Sequence, residues 1–306
     1  MDYVDLETQE IFQCPFCDSS EASSSSELPR VVPVGEFFIR YQFPDNKSPR
    51  LIKCDNCSSA YKNFYLDIYA ESLVYNLWVK NIGNRWLASK KEIDVQRQLS
   101  IQIIEWFKNI SGHTPNSIID IGAGEGSYIN YLDGYERFSL DQNPDSIKQN
   151  SQRGIQTILS DICSEAWVPN RSFNLVTCFD VLEHLHKPNV AIRNISKLLT
   201  AGGIFIGETG NLESFVPKYY GLQNWWYVNI PEHKVFWSKE CLQSIFSKHG
   251  IDLVKIDVIT HKKKSIFTLR NMKNIILLLL GLWPNKKQFR KIFLKDHFFI
   301  IGVKKS

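Results

Sequence analysis

Three glycines at every second position, Gly122, Gly124 and Gly126, follow a short apolar run, Ile118 to Ile121, broken only by Asp120. Glycine lets backbone N–H groups close on a ligand, and a helix N-terminus behind such a loop adds a positive field. The pattern predicts a cradle for a nucleotide-like ligand at the carboxyl end of a sheet. Asp141 stands nineteen residues beyond Gly122, close to the roughly 20 at which an acid accepts hydrogen bonds from both hydroxyls of a ribose. A second kind of chemistry sits near the start of the chain. Cys14-Pro15-Phe16-Cys17 and Cys54-Asp55-Asn56-Cys57 are C-x-x-C pairs separated by 36 residues. Two such knuckles suit a tetrahedral four-thiolate zinc site. The plainer readings are a bare strand-to-helix turn for the loop, a helix cap at Asp141 or Asn143, and chance or redox pairs for the cysteines.

These residues need a parallel sheet to position them. Ile118–Ile121, Arg137–Leu140, Thr157–Ser160, Phe173–Cys178 and Ile204–Thr209 read as five strands. Tyr128–Leu132 can continue a helix out of the glycine loop, and Asn189–Leu199 is a second helix, ended by the turn Ala201-Gly202-Gly203. Strand, helix and strand at these lengths give right-handed βαβ units, hence an α/β fold. A dinucleotide fingerprint requires G-x-G-x-x-G. Here the third glycine arrives one residue early and Ser127 takes its place, which argues against NAD.

The D-x-G-x-G-x-G form resembles the glycine loop of class I S-adenosylmethionine (SAM)-dependent methyltransferases. Phe179-Asp180-Val181-Leu182-Glu183-His184 resembles the F-D-V-L-E-H motif of the branch that includes ubiquinone-biosynthesis O-methyltransferases. The resemblance covers roughly Thr114 to Ile259 and resumes at a final strand, Phe298–Val303. It implies a Rossmann-like sheet with helices on both faces and a SAM site built from Asp120, Gly122, Ala123, Gly124, Asp141, Gln142, Asp161, Ile162 and Asp180. Asp161 and Ile162 would grip adenine. His184 is read as structural or facing the cofactor.

A subset of that family, including sugar C-methyltransferases and enzymes of surface-polysaccharide synthesis, looks similar in carrying a zinc ribbon ahead of the SAM domain. The resemblance implies zinc on Cys14, Cys17, Cys54 and Cys57. One departure is that those knuckles usually place glycine after the second cysteine, where Asp18 and Ser58 stand here. Between the knuckles, Ser23–Ser26 reads as a polar tip and Val31–Phe43 as a hairpin. The remaining cysteines, Cys163, Cys178 and Cys241, read as small buried hydrophobes.

The resemblance also nominates His233, in Pro231-Glu232-His233-Lys234-Val235-Phe236-Trp237-Ser238, as the general base beside the acceptor pocket, with Glu208 as a second candidate. An ordering role for His233 is the competing reading. Tyr219–Tyr227 is rich in aromatic and amide groups; it fits either stacking on a sugar ring or a packed lid. No N/D-P-P-Y/F turn follows the fourth strand, which argues against methylation of nucleobases.

Charge is split along the chain. Residues 261–306 hold twelve Lys or Arg and one acid, leaving 24 bases and 31 acids in the rest. A body near −7 therefore carries a tail near +11. Within the tail, the apolar Ile275–Trp283 has lysines on both sides, which fits peripheral contact with an anionic membrane through 262–291 or a helix packed within the chain or in a homodimer, with nucleic acid as the remaining reading. No apolar run approaches the roughly 20 residues of a spanning helix, and the acidic start is unlike a secretory signal. The expected setting is cytoplasmic, soluble or membrane-peripheral. The expected layout is a zinc ribbon over 1–62, a helical linker or lid over 63–112, the SAM-binding core over 113–260, a basic apolar insert over 261–296 and the last core strand over 297–306. The expected reaction is SAM-dependent methyl transfer to a sugar or glycan precursor, which a lipid could carry. Methylation of a prenylated quinone or another small molecule is the rival, and a non-catalytic SAM-binding regulator is the reading from another class.

Overall fold

The computed structural model describes residues 3–34, 37–44, 46–66, 68–78, 90–126, 128–167, 169–259 and 295–306. The basic insert therefore lies outside the described residues, apart from Lys295 and Asp296.

The chain first builds seven short strands: β1 (Tyr3–Glu10), β2 (Ala22–Glu27), β3 (Val31–Val34), β4 (Phe37–Gln42), β5 (Arg50–Cys54), β6 (Ala60–Lys62) and β7 (Phe64–Leu66). A helix follows, α1 (Ile68–Trp78). Strand order β3-β4-β1-β7 makes one small sheet, with β3 and β4 as the antiparallel hairpin read from the sequence. Alternation explains it: Val32, Val34, Ile39 and Tyr41 point inward and are buried. The apolar stripe Ala70, Val74 and Leu77 of α1 packs on that face. The serine-rich stretch is a correction. It is not a tip but β2, an edge strand paired antiparallel with β5. An edge strand with outward serines needs no apolar alternation, so its sequence hides it.

The larger unit runs α2 (Lys90–Ser111), β8 (Ser117–Ile121), β9 (Glu136–Asp141), α3 (Pro144–Gln152), β10 (Gln156–Leu159), β11 (Phe173–Phe179), α4 (Pro188–Leu198), β12 (Leu199–Gly210), α5 (Phe215–Tyr220), β13 (Val235–Phe236), α6 (Lys239–Lys248), β14 (Ile251–Ile259) and β15 (His297–Lys304). Seven of these strands form one sheet in the order β10-β9-β8-β11-β12-β15-β14. The first five are parallel and β15 is antiparallel to both its neighbours. Successive side chains of each strand feed opposite faces. Ile119, Phe138, Val176 and Phe205 join α4 and α6 in one core. Ile118, Leu175, Ile204 and Ile206 meet Ile103, Ile104 and Phe107 of α2 in the other. The helical stretch expected before the sheet thus divides between two partners: α1 belongs to the N-terminal module, α2 to the sheet.

The two units are stitched through β13. It pairs antiparallel with β6, giving the second small sheet, β13-β6-β5-β2. The Ser238 hydroxyl donates to the Cys57 carbonyl at 3.0 Å and caps α6 by accepting from the Cys241 N–H. Among the described residues, no helix is long and apolar enough to cross a membrane.

Candidate active site

The glycine loop corrects one expectation. Among the described residues no α-helix follows it directly; a single 3-10 turn, Ile129–Tyr131, does. Leu132-Asp133-Gly134 ends the segment too soon for a helix to propagate. The loop is instead fixed by side chains. The Asp141 carboxylate accepts from the Gly124 N–H at 2.9 Å and from the Asn143 N–H at 2.8 Å. Asn143, not Asp141, caps α3. Burial pushes the Asp141 pKa up, while those backbone donors oppose it. Gly122 sits at φ 63°, and a Cβ there would lie 2.3 Å from Val181 Cγ2. The close approach of β8's loop to the β11 loop therefore requires glycine.

A cavity opens at the carboxyl ends of β8 to β11. Gly122, Gly124, Asp141, Gln142, Asp161, Ile162 and Asp180 all line it. Asp120 and Ala123 do not. Asp120 is buried beneath the loop, bonded to the Tyr128 hydroxyl and to Thr177 Oγ1, and burial pushes its pKa up to about 7. Asp180 holds φ 53° without being glycine, a strained backbone of the kind that collects at functional sites. His184 lines the cavity too, on the cofactor-facing side of its two expected roles, while three lining residues were not legible: Glu71 from α1, His186 and Lys234. Only the fold brings a residue of the N-terminal helix to strand ends so far along the chain.

His233 lies beneath this wall rather than on it, 4% exposed. Its Nδ1 is 2.9 Å from the Tyr227 carbonyl, which places the proton on Nδ1 and leaves Nε2 as the lone-pair atom. Nε2 faces Glu183 Oε1 at 3.8 Å. Burial drives the His233 pKa well below the usual value, with His184 adding to the effect. Glu183 accepts from the Tyr227 hydroxyl and from Thr209 Oγ1 at 3.0 Å, and burial raises its pKa to about 7. His184 does line the cavity; burial lowers its pKa to about 4, and its Nδ1 lies 3.2 Å from the Glu232 carbonyl. Glu208, at the end of β12, groups with Asp180 and His297, their ligand atoms within 4.8 Å of one another. In the aromatic segment, Trp225 and Tyr227 are fully packed, so they act as core and not as a stacking face.

The four cysteines converge. Their sulfurs lie within 4.8 Å of one another, with Cys14–Cys57 and Cys17–Cys54 each at 3.7 Å. Tetrahedral ligands at a Zn–S length of about 2.3 Å stand ~3.8 Å apart, so the sulfur spacing fits a zinc ion. Asp18 and Ser58 hold φ 59° and 60°. They take the left-handed conformation that glycine would favour after each second cysteine, which reconciles the departure in sequence. Cys241, from α6, is buried in the same core cluster as the four cysteines, a placement that spacing could not reveal.

A family model described as the methyltransferase domain matches residues 95–256, from within α2 into β14. The chain belongs to the methyltransferase domain family. The matched span holds all the strands lining the cavity. Among curated relatives of this methyltransferase-domain chain, a ubiquinone biosynthesis O-methyltransferase of Pseudomonas putida (strain GB-1) is 25% identical over 147 residues, covering 45% of this chain and 62% of the relative. The Arabidopsis thaliana protein named "Probable methyltransferase PMT9" is 23% identical over 155 residues, covering 45% of this chain and 25% of the relative. The chain thus spans less than two thirds of the length of these relatives. A solved SAM-dependent methyltransferase from Archaeoglobus fulgidus aligns over 75% of this chain and 99% of its own, at 19% identity and a TM-score of 0.49.

Proposed function

We propose that the cavity binds SAM and that the chain transfers its methyl group to a sugar or glycan precursor. The observation that carries the cofactor reading is the convergence of two strand-end carboxylates, Asp141 and Asp161, with Gly122 and Gly124 in one cavity. Asp141 would accept from the ribose hydroxyls and Asp161 from the adenine amine, with Ile162 against the ring. SAM supplies an activated methyl on a sulfonium. The protein's part is to hold the acceptor in line and to exclude water. His233 and Glu208 are the candidate bases for an acceptor hydroxyl or carbon acid. The four-cysteine module ahead of the domain supports the sugar reading, by its likeness to zinc-ribbon sugar methyltransferases. Its sulfur spacing supports structural zinc on Cys14, Cys17, Cys54 and Cys57. The Pseudomonas relative's name favours a quinone as the second reading.

The test is transfer of labelled methyl from SAM into a cell extract, with products sorted into sugar, quinone, other lipid and RNA fractions. Label in the sugar fraction is the expected result. Label in the quinone fraction would replace the acceptor. Binding of SAM with no label in any fraction would make the chain a non-catalytic SAM-binding protein.

A further inference from the structure

The N-terminal module supplies part of the cavity itself. Ala70, Val74 and Leu77 bury one face of α1 against the small sheet. Glu71 and Ser72, on another face, line the cofactor cavity. Asn76, further along α1, lines a second groove against Asn143, Asp145 and Ser146 at the start of α3. The helix therefore runs across the cavity mouth, anchored on a different unit from the strands beneath it.

A buried ion pair joins this wall to the core at the cavity. Lys234 Nζ meets Glu71 Oε1 at 2.5 Å, with both side chains largely buried. Glu71 and Gln142, the residue after Asp141, line the same cavity. Lys234 is itself rigidly held: its N–H donates to the Glu183 carbonyl at 2.9 Å and its carbonyl accepts from the Lys62 N–H at 2.9 Å. The cation thus sits on a fixed backbone, and the acid arrives on the helix.

We propose that the Glu71–Lys234 ion pair bolts α1 over the cavity and sets how long an adenosine-bearing cofactor is retained. Breaking one partner of a buried pair leaves the other charge without compensation, and such losses emerge mainly as faster dissociation. The bolt makes the N-terminal module a working part of the site, beyond holding a metal.

The inference rests on the SAM reading, so its test carries one arm that needs no ligand. S-adenosylhomocysteine (SAH) dissociation is measured by stopped flow for the full chain and for E71Q, K234M, the double variant and the charge swap E71K/K234E. Each single variant is expected to release SAH at least ~10-fold faster. The double should be no worse than the worse single, and the swap should recover part of the loss. Unchanged rates, or effects that simply add, overturn the proposal. In parallel, hydrogen exchange of residues 68–78 is followed without ligand. Faster exchange in both singles supports the bolt, and unchanged exchange overturns it. If the unmodified chain binds no SAH by calorimetry, the cofactor reading falls, and the exchange arm alone decides whether the pair holds the helix.

Discussion

Lys62, on the edge of the N-terminal module, donates its Nζ to the Ile230 carbonyl at 2.7 Å and to the Pro231 carbonyl at 3.3 Å. Its side chain thereby props the loop that presents Glu232, His233 and Lys234 from below. Burial lowers the Lys62 pKa to about 7, against help from Glu232. Lys62→Met keeps the stem but takes the Nζ donor from the Pro231 carbonyl and leaves the Ile230 carbonyl only the His233 N–H at 3.3 Å, so it should cost about 1–3 kcal/mol, read by urea denaturation. The pH sign is fixed by the shift. Between about 7 and the ordinary 10.5 the unfolded chain binds more protons at this site, so stability should rise with pH there. K62M should flatten that rise.

Glu183 and Asp120 predict the opposite slope in a lower window. Both folded pKa values are raised to about 7, by burial first. The folded chain then holds the extra protons, so these groups favour folding below the unfolded carboxylate range and lose that advantage as pH climbs to about 7. E183Q should remove its share of the decline while keeping an acceptor for the Tyr227 hydroxyl. Denaturation midpoints between pH 4.5 and 7.5 provide the check; an unchanged slope would mean that Glu183 ionises normally.

The site was legible where backbone dictates chemistry. Glycines at Gly122 and Gly124 and acids at the ends of β9 and β10 follow from strand endings, which local sequence marks well. The misses have separate causes. The serines of β2 carry no alternation because an edge strand can stay polar. The helix expected after Gly126 is absent because eight residues later Gly134 has already turned the chain at φ 90°. Glu71 had no signal at all, and Lys234, though it stood in the segment that carries His233, had none for its ion pair. Their roles arise from contacts between units that are distant in sequence, and no periodicity encodes those.

Gly122 and Gly134 form a matched pair for testing the loop. Both have positive φ, but a Cβ at Gly134 meets nothing within 4 Å, whereas one at Gly122 strikes Val181. Each alanine pays the left-handed backbone cost of roughly 1–2 kcal/mol. Only G122A should also displace the β11 loop, and with it Asp180. SAH affinity by calorimetry should fall at least ~10-fold in G122A and stay near the parent value in G134A.

Metal analysis of the purified chain should find one zinc per molecule, and C17S or C57S should lose it. Metal bound only to the folded state stabilises by about 4 kcal/mol at a thousandfold excess over its Kd. Chelation should therefore lower Tm by several degrees and added zinc should restore it. Because Ser238 ties the Cys57 carbonyl to α6 and β6 pairs with β13, hydrogen exchange over 231–241 should rise along with that of the knuckles. A fully zinc-free chain with the parent Tm would leave the cysteines as a packed cluster.

His233 carries the sharpest prediction because its geometry is compatible with two roles. Its Nδ1 is committed to the Tyr227 carbonyl, and Nε2 remains a lone pair directed at Glu183 rather than at the cavity. As a base it would need that lone pair to reach the acceptor's proton through a rearranged neighbour. As a structural residue it would only hold the loop. H233A tests both, with H233Q retaining a polar side chain in part of the space. A base predicts turnover lowered by ~100-fold or more in both variants, with SAH affinity nearly unchanged. A purely ordering role predicts loss of stability and of SAH affinity in H233A, with recovery in H233Q. Turnover unchanged in both would remove His233 from the chemistry and pass the role of base to Glu208, whose E208Q variant should then lose rate at constant SAH affinity.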